Sequence, residues 1–505
     1  MSQSPVVVIG AGIGGLCAAI DLAARGVDVL VIERTSGPGG KLRPVTIAGQ
    51  QLDAGPTVFT MKWVFDQLFA EAGASFDGEV ATAPLDLLAR HAWPDGSRLD
   101  LHADVERSAD AIGQLAGAAD ARGFLAFCER ARKIYATLEV PFIRSEQPSP
   151  VSLARGAGLG GLGDLWRISP FTTMWRALGE HFRDQRLRQL FGRYATYNGS
   201  SPFIAPATLM LIAHVEQAGV WSIDGGMHTL ASKLEALATR LGARFRYGAA
   251  GARVVVEAGR AAAVVLDDGE RIPCAAIIFN GDAAAVGAGL IGPEVQQGVP
   301  SIPASTRSLS AVTFSFLGSA RGFPLSRHNV FFGPDYAREF DDIFVRARLP
   351  LAPTVYLCAQ DRDAEGAHED TSEAQAAERF LCLVNAPAIG DRHAFTATEI
   401  EQCRRTTFEA MHRAGLNLEP QHETMVIRTP QSFEQSYPAT GGALYGQAAH
   451  GWRASFSRPA TQTRIKGLYL AGGSVHPGAG VPMAALSGRI AARRLLADQT
   501  SRRRS

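Results

Sequence analysis

Val6 to Ile9 is an unbroken apolar run, and a short run of this kind bounded by turn residues reads as a strand buried on both faces. Gly10 to Gly15 follows as a glycine-rich turn, Leu16 to Arg25 keeps helical spacing until Gly26, and Val27 to Ile32 is a second buried strand. The chain therefore opens with a β-α-β unit. A helix beginning near Val64 stops at Gly73. From Asp110 to Ala218 the pattern is mostly helical, broken at Pro141, Pro148, Pro150, Pro170, Pro202 and Pro206. Strand chemistry returns at Arg244 to Tyr247, Val254 to Val256, Ala262 to Leu266 and Ile277 to Phe279, with Asp268-Gly269 as a turn. Leu309 to Phe316, Val330 to Phe332, Thr354 to Cys358 and Phe380 to Val384 predict a separate sheet. A helix with Ile400, Cys403, Thr407, Phe408 and Met411 on one face follows. Leu468 to Ala471 and a helix after Pro482 close the chain.

A chain of 505 residues exceeds one ordinary core and predicts two or three lobes. Fifty basic residues balance forty-nine acidic ones, so no global field recruits nucleic acid; local basic clusters occur at Arg502 to Arg504 and along Arg176 to Arg193. Six cysteines without metal or disulfide spacing fit a reducing compartment and no metal site. The N-terminus lacks a basic n-region and Asp21 interrupts its apolar stretch, so no signal peptide is read. No run of about 18 apolar residues predicts a membrane span.

The glycine turn fits G-x-G-x-x-G between a strand and a helix. Gly10 permits the tight turn, Gly12 lets a pyrophosphate approach the backbone, and Gly15 lets the helix pack on the strand. The helix N-terminus then faces the anion. Glu33 ends the second strand, where a carboxylate accepts ribose hydroxyls. Two further stretches favour FAD over NAD: Gly39-Gly40-Lys41 with Asp53-Ala54-Gly55-Pro56-Thr57, and Gly467 to Pro482, a strand, glycine turn and helix that return at the C-terminus. An extended FAD needs such a second anchoring loop.

These stretches resemble the bacterial phytoene-desaturase-type carotenoid oxidoreductases, FAD enzymes of the amine-oxidase-like fold. Gly467 to Ser487 follows that family's pattern nearly throughout, departing at Val475. The resemblance also takes in Tyr197 to Pro202, Gly219-Val220-Trp221, Gly225-Gly226-Met227, Asn280-Gly281-Asp282 and His328-Asn329. Trp221 to His228 and Phe59 to Phe65 are more similar to the 1-hydroxycarotenoid 3,4-desaturases, also called hydroxy- or methoxyneurosporene desaturases.

The resemblance implies an α/β fold: a discontinuous Rossmann-like FAD-binding domain (1–75, 217–300 and 440–505), a mixed-sheet substrate domain (76–105 and 301–439) and a helical, membrane-facing insertion (106–216). It implies FAD contacts from Gly10, Gly12, Gly14, Gly15, Glu33, Gly39, Gly40, Lys41, Gly55, Pro56, Thr57, Val254, Gly472, Gly473, Gly480, Val481 and Pro482. The expected activity is FAD-dependent desaturation of an acyclic, 1-hydroxylated or methoxylated carotenoid by a cytoplasmic protein held peripherally at the inner or photosynthetic membrane. A phytoene desaturase or carotene isomerase, and a non-catalytic prenyl-binding protein of the same fold, are the alternatives.

No catalytic residue is named, because no Ser/His/Asp set or carboxylate pair has a recognisable spacing and the cofactor carries the chemistry. His476 is expected to shape the loop at the flavin, and Asp53 to bond backbone in its turn. His328, at a strand start, is read as structural, and His228 and Asp224 as surface or capping groups. Phe171, Met174, Trp175, Leu178 and Phe182 follow helical spacing, with Ser169 as the expected N-cap and Pro170 at N1. Two readings stay open for this helix: a core helix with a solvated basic face, or a membrane-docking lid.

Overall fold

The computed structural model describes residues 4–146, 148, 171–362, 377–421 and 425–504. A five-stranded parallel sheet is ordered Arg244–Arg246, Val29–Ile32, Val6–Ile9, Ala276–Phe279, Leu468–Leu470. Side chains alternate across a strand, and both faces are buried. Val6, Val8, Val29, Val31, Ala276, Ile278 and Tyr469 face a layer holding the helices Ile13–Ala23, Met227–Arg240 and Val481–Arg504. Val7, Ile9, Ile277, Phe279, Leu468 and Leu470 face a layer built around the antiparallel strands Arg253–Glu257, Arg260–Val265 and Arg271–Pro273. This two-sided burial is why the strands read as continuous apolar runs.

The first and last helices cross at glycines: a Cβ on Gly488 would lie 1.9 Å from the Gly14 carbonyl oxygen, and one on Gly14 would lie 3.0 Å from that of Ala484. Asp21, which interrupts the first helix's apolar pattern, is buried against Arg489 of the last helix at 3.3 Å, and Arg489 also reaches Glu71 at 2.6 Å.

The second sheet has eight strands: Asn417–Pro420, Ser310–Arg321, Glu378–Ala386, Val355–Ala359, His328–Phe331, Leu87–Ala92 and Arg98–His102 in order, with Val426–Arg428 also paired to Ser310–Arg321. Its pairs are antiparallel except His328–Phe331 with Leu87–Ala92. Val312, Phe314, Phe316, Val355, Leu357, Phe380, Cys382 and Val384 pack with Cys403 and Met411 of the helix Ala397–Arg413. The alternate positions Thr313, Thr354, Tyr356, Leu381, Leu383 and Asn385 turn the other way and line a cavity. The helical segment, which includes Ala118–Leu138, Met174–His181, Gln185–Gly192 and Leu211–Gln217, lines the same cavity through Leu138, Phe142, Leu211, Ile212 and Val215.

The helix expected around Phe171 is shorter than its spacing predicts. It runs Met174–His181, and its N-cap is Thr173, whose hydroxyl accepts from the Arg176 N–H at 3.4 Å; the expected cap, Ser169, and Pro170 lie outside the described residues. Met174, Leu178 and Phe182 are core residues. Trp175 packs at 4.7 Å from Phe203 under the Arg188 guanidinium, while Arg176 and Arg183 are exposed. This burial fits the reading of a core helix with a solvated basic face, and the half-buried Trp175 packs against the protein. Phe171 precedes the helix and is 64% exposed.

Candidate active site

The first helix starts at Gly12, whose N-cap position carries no side-chain hydrogen bond. Its first-turn N–H groups have no intrahelical acceptor, and Gly12, Ile13 and Gly14 line the cavity. The last helix begins beside it, with Gly480, Val481, Pro482 and Ala484 lining the same space. Two helix N-termini thus converge on one cleft, an arrangement suited to a pyrophosphate. Gly480 has φ +110°, which favours glycine, and a Cβ there would make only ordinary contacts with Met483 and Pro482, at 3.9 and 4.0 Å. The residues present fit an extended dinucleotide.

Asn280 organises the loop from behind. It follows the strand Ala276–Phe279, donates Nδ2–H to the Gly10 carbonyl at 3.2 Å, and stands where Cβ atoms on Gly12, Gly14 and Gly15 would fall, at 2.9, 2.6 and 3.0 Å. The Glu33 carboxylate accepts from the N–H of Ala11 at 2.9 Å and from the N–H and hydroxyl of Thr35 at 3.0 and 2.8 Å. It is thereby fixed at the strand end beside the glycine turn.

Most of the expected contacts meet in this one space. Gly12, Gly14, Gly39, Gly40, Lys41, Gly55, Pro56, Thr57, Gly472, Gly473, Gly480, Val481 and Pro482 all line a cavity of about 680 Å³. Gly10 and Gly15 shape the turn from outside it: Gly15 lies so close to Gly10 that a Cβ would sit 2.1 Å from its carbonyl oxygen. Val254 is not brought to the cleft. It is fully buried in the flanking antiparallel sheet and gives its N–H to the Ile291 carbonyl at 2.8 Å.

The groups read as structural are held by protein contacts, Asp53 by a distant backbone N–H rather than by one in its own turn. Asp53 accepts from the Met227 N–H at 2.9 Å, at the start of the helix Met227–Arg240, and Gln360 clasps its backbone N–H and C=O, both at 2.9 Å. Burial raises its pKa. His476 lies 2.9 Å from the Phe142 carbonyl, tying the C-terminal loop to the helical segment, and burial lowers its pKa to about 4. His328 pairs with the Tyr356 hydroxyl at 2.8 Å, and burial lowers its pKa to about 3. His228 and Asp224 line a second cavity of about 490 Å³ rather than the first.

Away from the glycine loops the main cavity is largely apolar, walled by Leu138, Phe142, Leu209, Ile212, Val215, Leu381, Leu383 and Phe456. Its polar groups are few. Lys41 donates to the Leu444 carbonyl at 2.5 Å, and burial lowers its pKa. Arg458 binds the carbonyls of Tyr445, Gly473 and Gln447 and the Asn198 side chain at 2.7–3.0 Å. Thr57 and Tyr356 share a hydrogen bond of 2.6 Å. Glu216, 8% exposed, accepts from the Tyr194 and Tyr197 hydroxyls, each at 2.6 Å. Arg193 donates to the Tyr197 hydroxyl at 3.1 Å. Arg193 and Arg458 were missed as site residues because each sits in irregular sequence with no motif. Asn280 had a signal, as part of Asn280-Gly281-Asp282 after a buried strand.

The flavin containing amine oxidoreductase family matches residues 13–496. The chain belongs to that family. FAD is its cofactor. The chain is 52% identical over 502 residues to a hydroxyneurosporene desaturase of Rubrivivax gelatinosus, covering 99% of this chain and 95% of that protein. It is 44% identical to the hydroxyneurosporene desaturase of Cereibacter sphaeroides, covering 99% of both. A 4,4'-diapolycopene oxygenase of Methylomonas is 30% identical over 98% of each chain. Among solved structures, an oxidoreductase from Methanosarcina mazei superposes with a TM-score of 0.60 at 18% identity, covering 96% of this chain and 99% of that one. A putrescine oxidase variant superposes with a TM-score of 0.61 at 15% identity, covering 99% of both. These likenesses show the amine-oxidase-like fold.

Proposed function

We propose that the protein desaturates a C–C single bond of an acyclic carotenoid carrying a 1-hydroxyl or 1-methoxyl end, the 3,4-bond, in carotenoid biosynthesis. The observation that carries this reading is the continuity of the cavity, which joins the cofactor loops to an apolar chamber large enough for a polyene end. Full-length relatives named as hydroxyneurosporene desaturases support it. Oxidised FAD supplies the two-electron acceptor that an unactivated C–C bond requires. The chain's own residues bind and orient: the helix N-termini take the pyrophosphate, Glu33, held beside the glycine turn, takes the ribose, and the wall of Leu381, Leu383, Leu209 and Ile212 excludes water and aligns the polyene. Residues 1–75, 217–300 and 440–505 form the cofactor domain, 76–105 and 301–439 the substrate wall, and 106–216 the cover. In support, all five strands of the parallel sheet fall in the first set and all eight of the mixed sheet in the second.

The test is anaerobic mixing of FAD-loaded enzyme with 1-hydroxyneurosporene, neurosporene and phytoene in liposomes. The hydroxylated substrate should reduce the flavin fastest and gain one conjugated double bond. Faster desaturation of phytoene would make the chain a phytoene desaturase, and no flavin reduction with any of the three would end the desaturase reading.

Substrate delivery belongs to the same proposal. A carotenoid in lipid is already out of water, so entry into the cavity gains little of the ~0.8 kcal/mol per CH₂ of transfer from water, and the enzyme must collect it at the bilayer. No helix among the described residues is long and apolar enough to cross a membrane. Phe171 lines the cavity while 64% exposed, and Val140, 68% exposed, shares the turn Glu139–Ile143 with the lining residues Phe142 and Ile143. Arg144 and Arg453 lie nearby, over Trp63 and Trp452, which suits an anionic surface. This rim, rather than Trp175, is the docking face.

A further inference from the structure

Most of the cavity's polar side chains are already engaged with the protein: Lys41 and Arg458 on backbone carbonyls, and Thr57 and Tyr356 on each other. Arg193 differs. Its guanidinium makes one hydrogen bond, from Nη2 to the Tyr197 hydroxyl, and its Nε is buried with no partner. Among the described residues, only one other side chain lining this cavity has a buried polar atom without a partner, the Tyr336 hydroxyl. Tyr336 is 7% exposed and adjacent: a Cβ on Gly192, the residue before Arg193, would lie 3.5 Å from its ring. A buried guanidinium with donors to spare is costly unless something accepts from it.

The surroundings hold that charge in place. Burial opposes ionisation of Arg193, but Tyr197, Glu216 and Tyr194 outweigh it and its pKa is raised. Glu216 spends its two oxygens on Tyr194 and Tyr197, so its charge reaches the guanidinium through the Tyr197 hydroxyl. The cluster stabilises a cation in an apolar chamber while engaging it through a single hydrogen bond, to Tyr197.

We propose that Arg193, with the Tyr336 phenol beside it, binds the oxygen at the chain end of the substrate and so selects oxygenated over hydrogen-terminated polyenes. This rests on the desaturase reading above. An alcohol oxygen both donates and accepts, whereas an ether oxygen only accepts, and a guanidinium only donates. A donor is therefore the one partner that serves a hydroxylated and a methoxylated end alike, and the Tyr336 oxygen can take the proton of the alcohol. The oxygen is only a few bonds from the carbons to be desaturated, so anchoring it also limits which bond meets the cofactor. Glu216 and the two tyrosines are positioning residues that act through Arg193.

The test compares kcat/KM for 1-hydroxyneurosporene and its 1-methoxy ether with that for neurosporene, in liposomes, using FAD-loaded wild type, Tyr336→Phe and the charge-balanced double variant Arg193→Met/Glu216→Gln. Loss of one hydrogen bond from a charged donor corresponds to about ten- to a hundredfold, and the double variant should lose this factor in the ratio of each oxygenated substrate to neurosporene. Tyr336→Phe should lower the ratio for the alcohol more than for the ether. Ratios unchanged in both variants, with normal flavin content, would overturn the assignment. Should the double variant fail to load FAD, Tyr336→Phe decides alone, since it removes a single partnerless hydroxyl. A wild type that desaturates none of the three substrates refutes the function instead, which is a different result.

Discussion

Gly488 lies inside the closing helix Val481–Arg504, where helix propensity alone makes Gly→Ala stabilising by about 1 kcal/mol. Its tertiary setting reverses the sign. The added Cβ would lie 1.9 Å from the Gly14 carbonyl oxygen, while ordinary contact begins at 3.4 Å, so the seam between the first and last helices has to open by about 1.5 Å. The obstacle is backbone and cannot rotate away. Overpacking of this kind costs about 1–3 kcal/mol and occasionally more, and a gap of 0.5–1 Å already forfeits roughly a quarter to a half of each dispersion contact across it. A net loss of about 3 kcal/mol is expected for Gly488→Ala. Because both helices present their N-termini to the cofactor cleft, the loss should appear in flavin affinity as well. Denaturant midpoints followed by flavin fluorescence, together with flavin-to-protein ratios, measure both. Gly113→Ala is the control: it lies in the helix Val105–Ala116, its Cβ would meet only the Ala121 Cβ at an ordinary 3.6 Å, and it should be neutral or stabilising. A Gly488→Ala protein as stable and as fully loaded as wild type would refute the reasoning.

Gly12→Val and Glu33→Arg should each yield largely flavin-free protein, the first by driving its side chain into Asn280, which holds the glycine turn, and the second by removing the acceptor beside that turn; wild-type flavin ratios would contradict this. Gly480→Asp should weaken FAD binding about tenfold or more, because its side chain and charge lie beside the cleft and a non-glycine residue at φ +110° strains the loop; unchanged affinity by titration of apoprotein would show that the loop is no cofactor contact. Burial raises the Glu339 pKa from 4.5 to about 7, so the folded state holds its proton more tightly than the unfolded one. Stability from this group is therefore lost as pH rises from about 4.5 to about 7, by at most about 3 kcal/mol, and Glu339→Gln should flatten that slope in pH-dependent denaturation. Val140→Asp/Phe171→Ser should reduce liposome flotation while Trp175→Ser lowers thermal stability and leaves flotation intact; equal flotation of the double variant and wild type would misplace the docking rim.

The local chemistry of the cofactor loops was legible without coordinates. Glycines, a helix start and an acidic strand end at set spacing have few other uses, and the apolar runs of the parallel strands follow from burial on both faces. The same holds for the mixed sheet, where period-two alternation separates Phe314, Phe316 and Cys382 from Thr313, Leu381 and Leu383. What that pattern does not reveal is which face meets a helix and which lines a cavity, because both are apolar. Spacing also misled at Phe171 to Phe182, since helical periodicity records burial and not the partner that provides it. Trp175 found its partner in Phe203, whereas Phe171 lies before the helix, edge-on to Trp452. Asp21 in an apolar helix acquires meaning only from Arg489, which arrives from the other end of the chain. Arg193, Tyr336 and Glu216 come from separate segments with no motif among them. Their value as a polar subsite depends on which donors remain unpaired after every other contact has formed, and that is decided by tertiary packing alone.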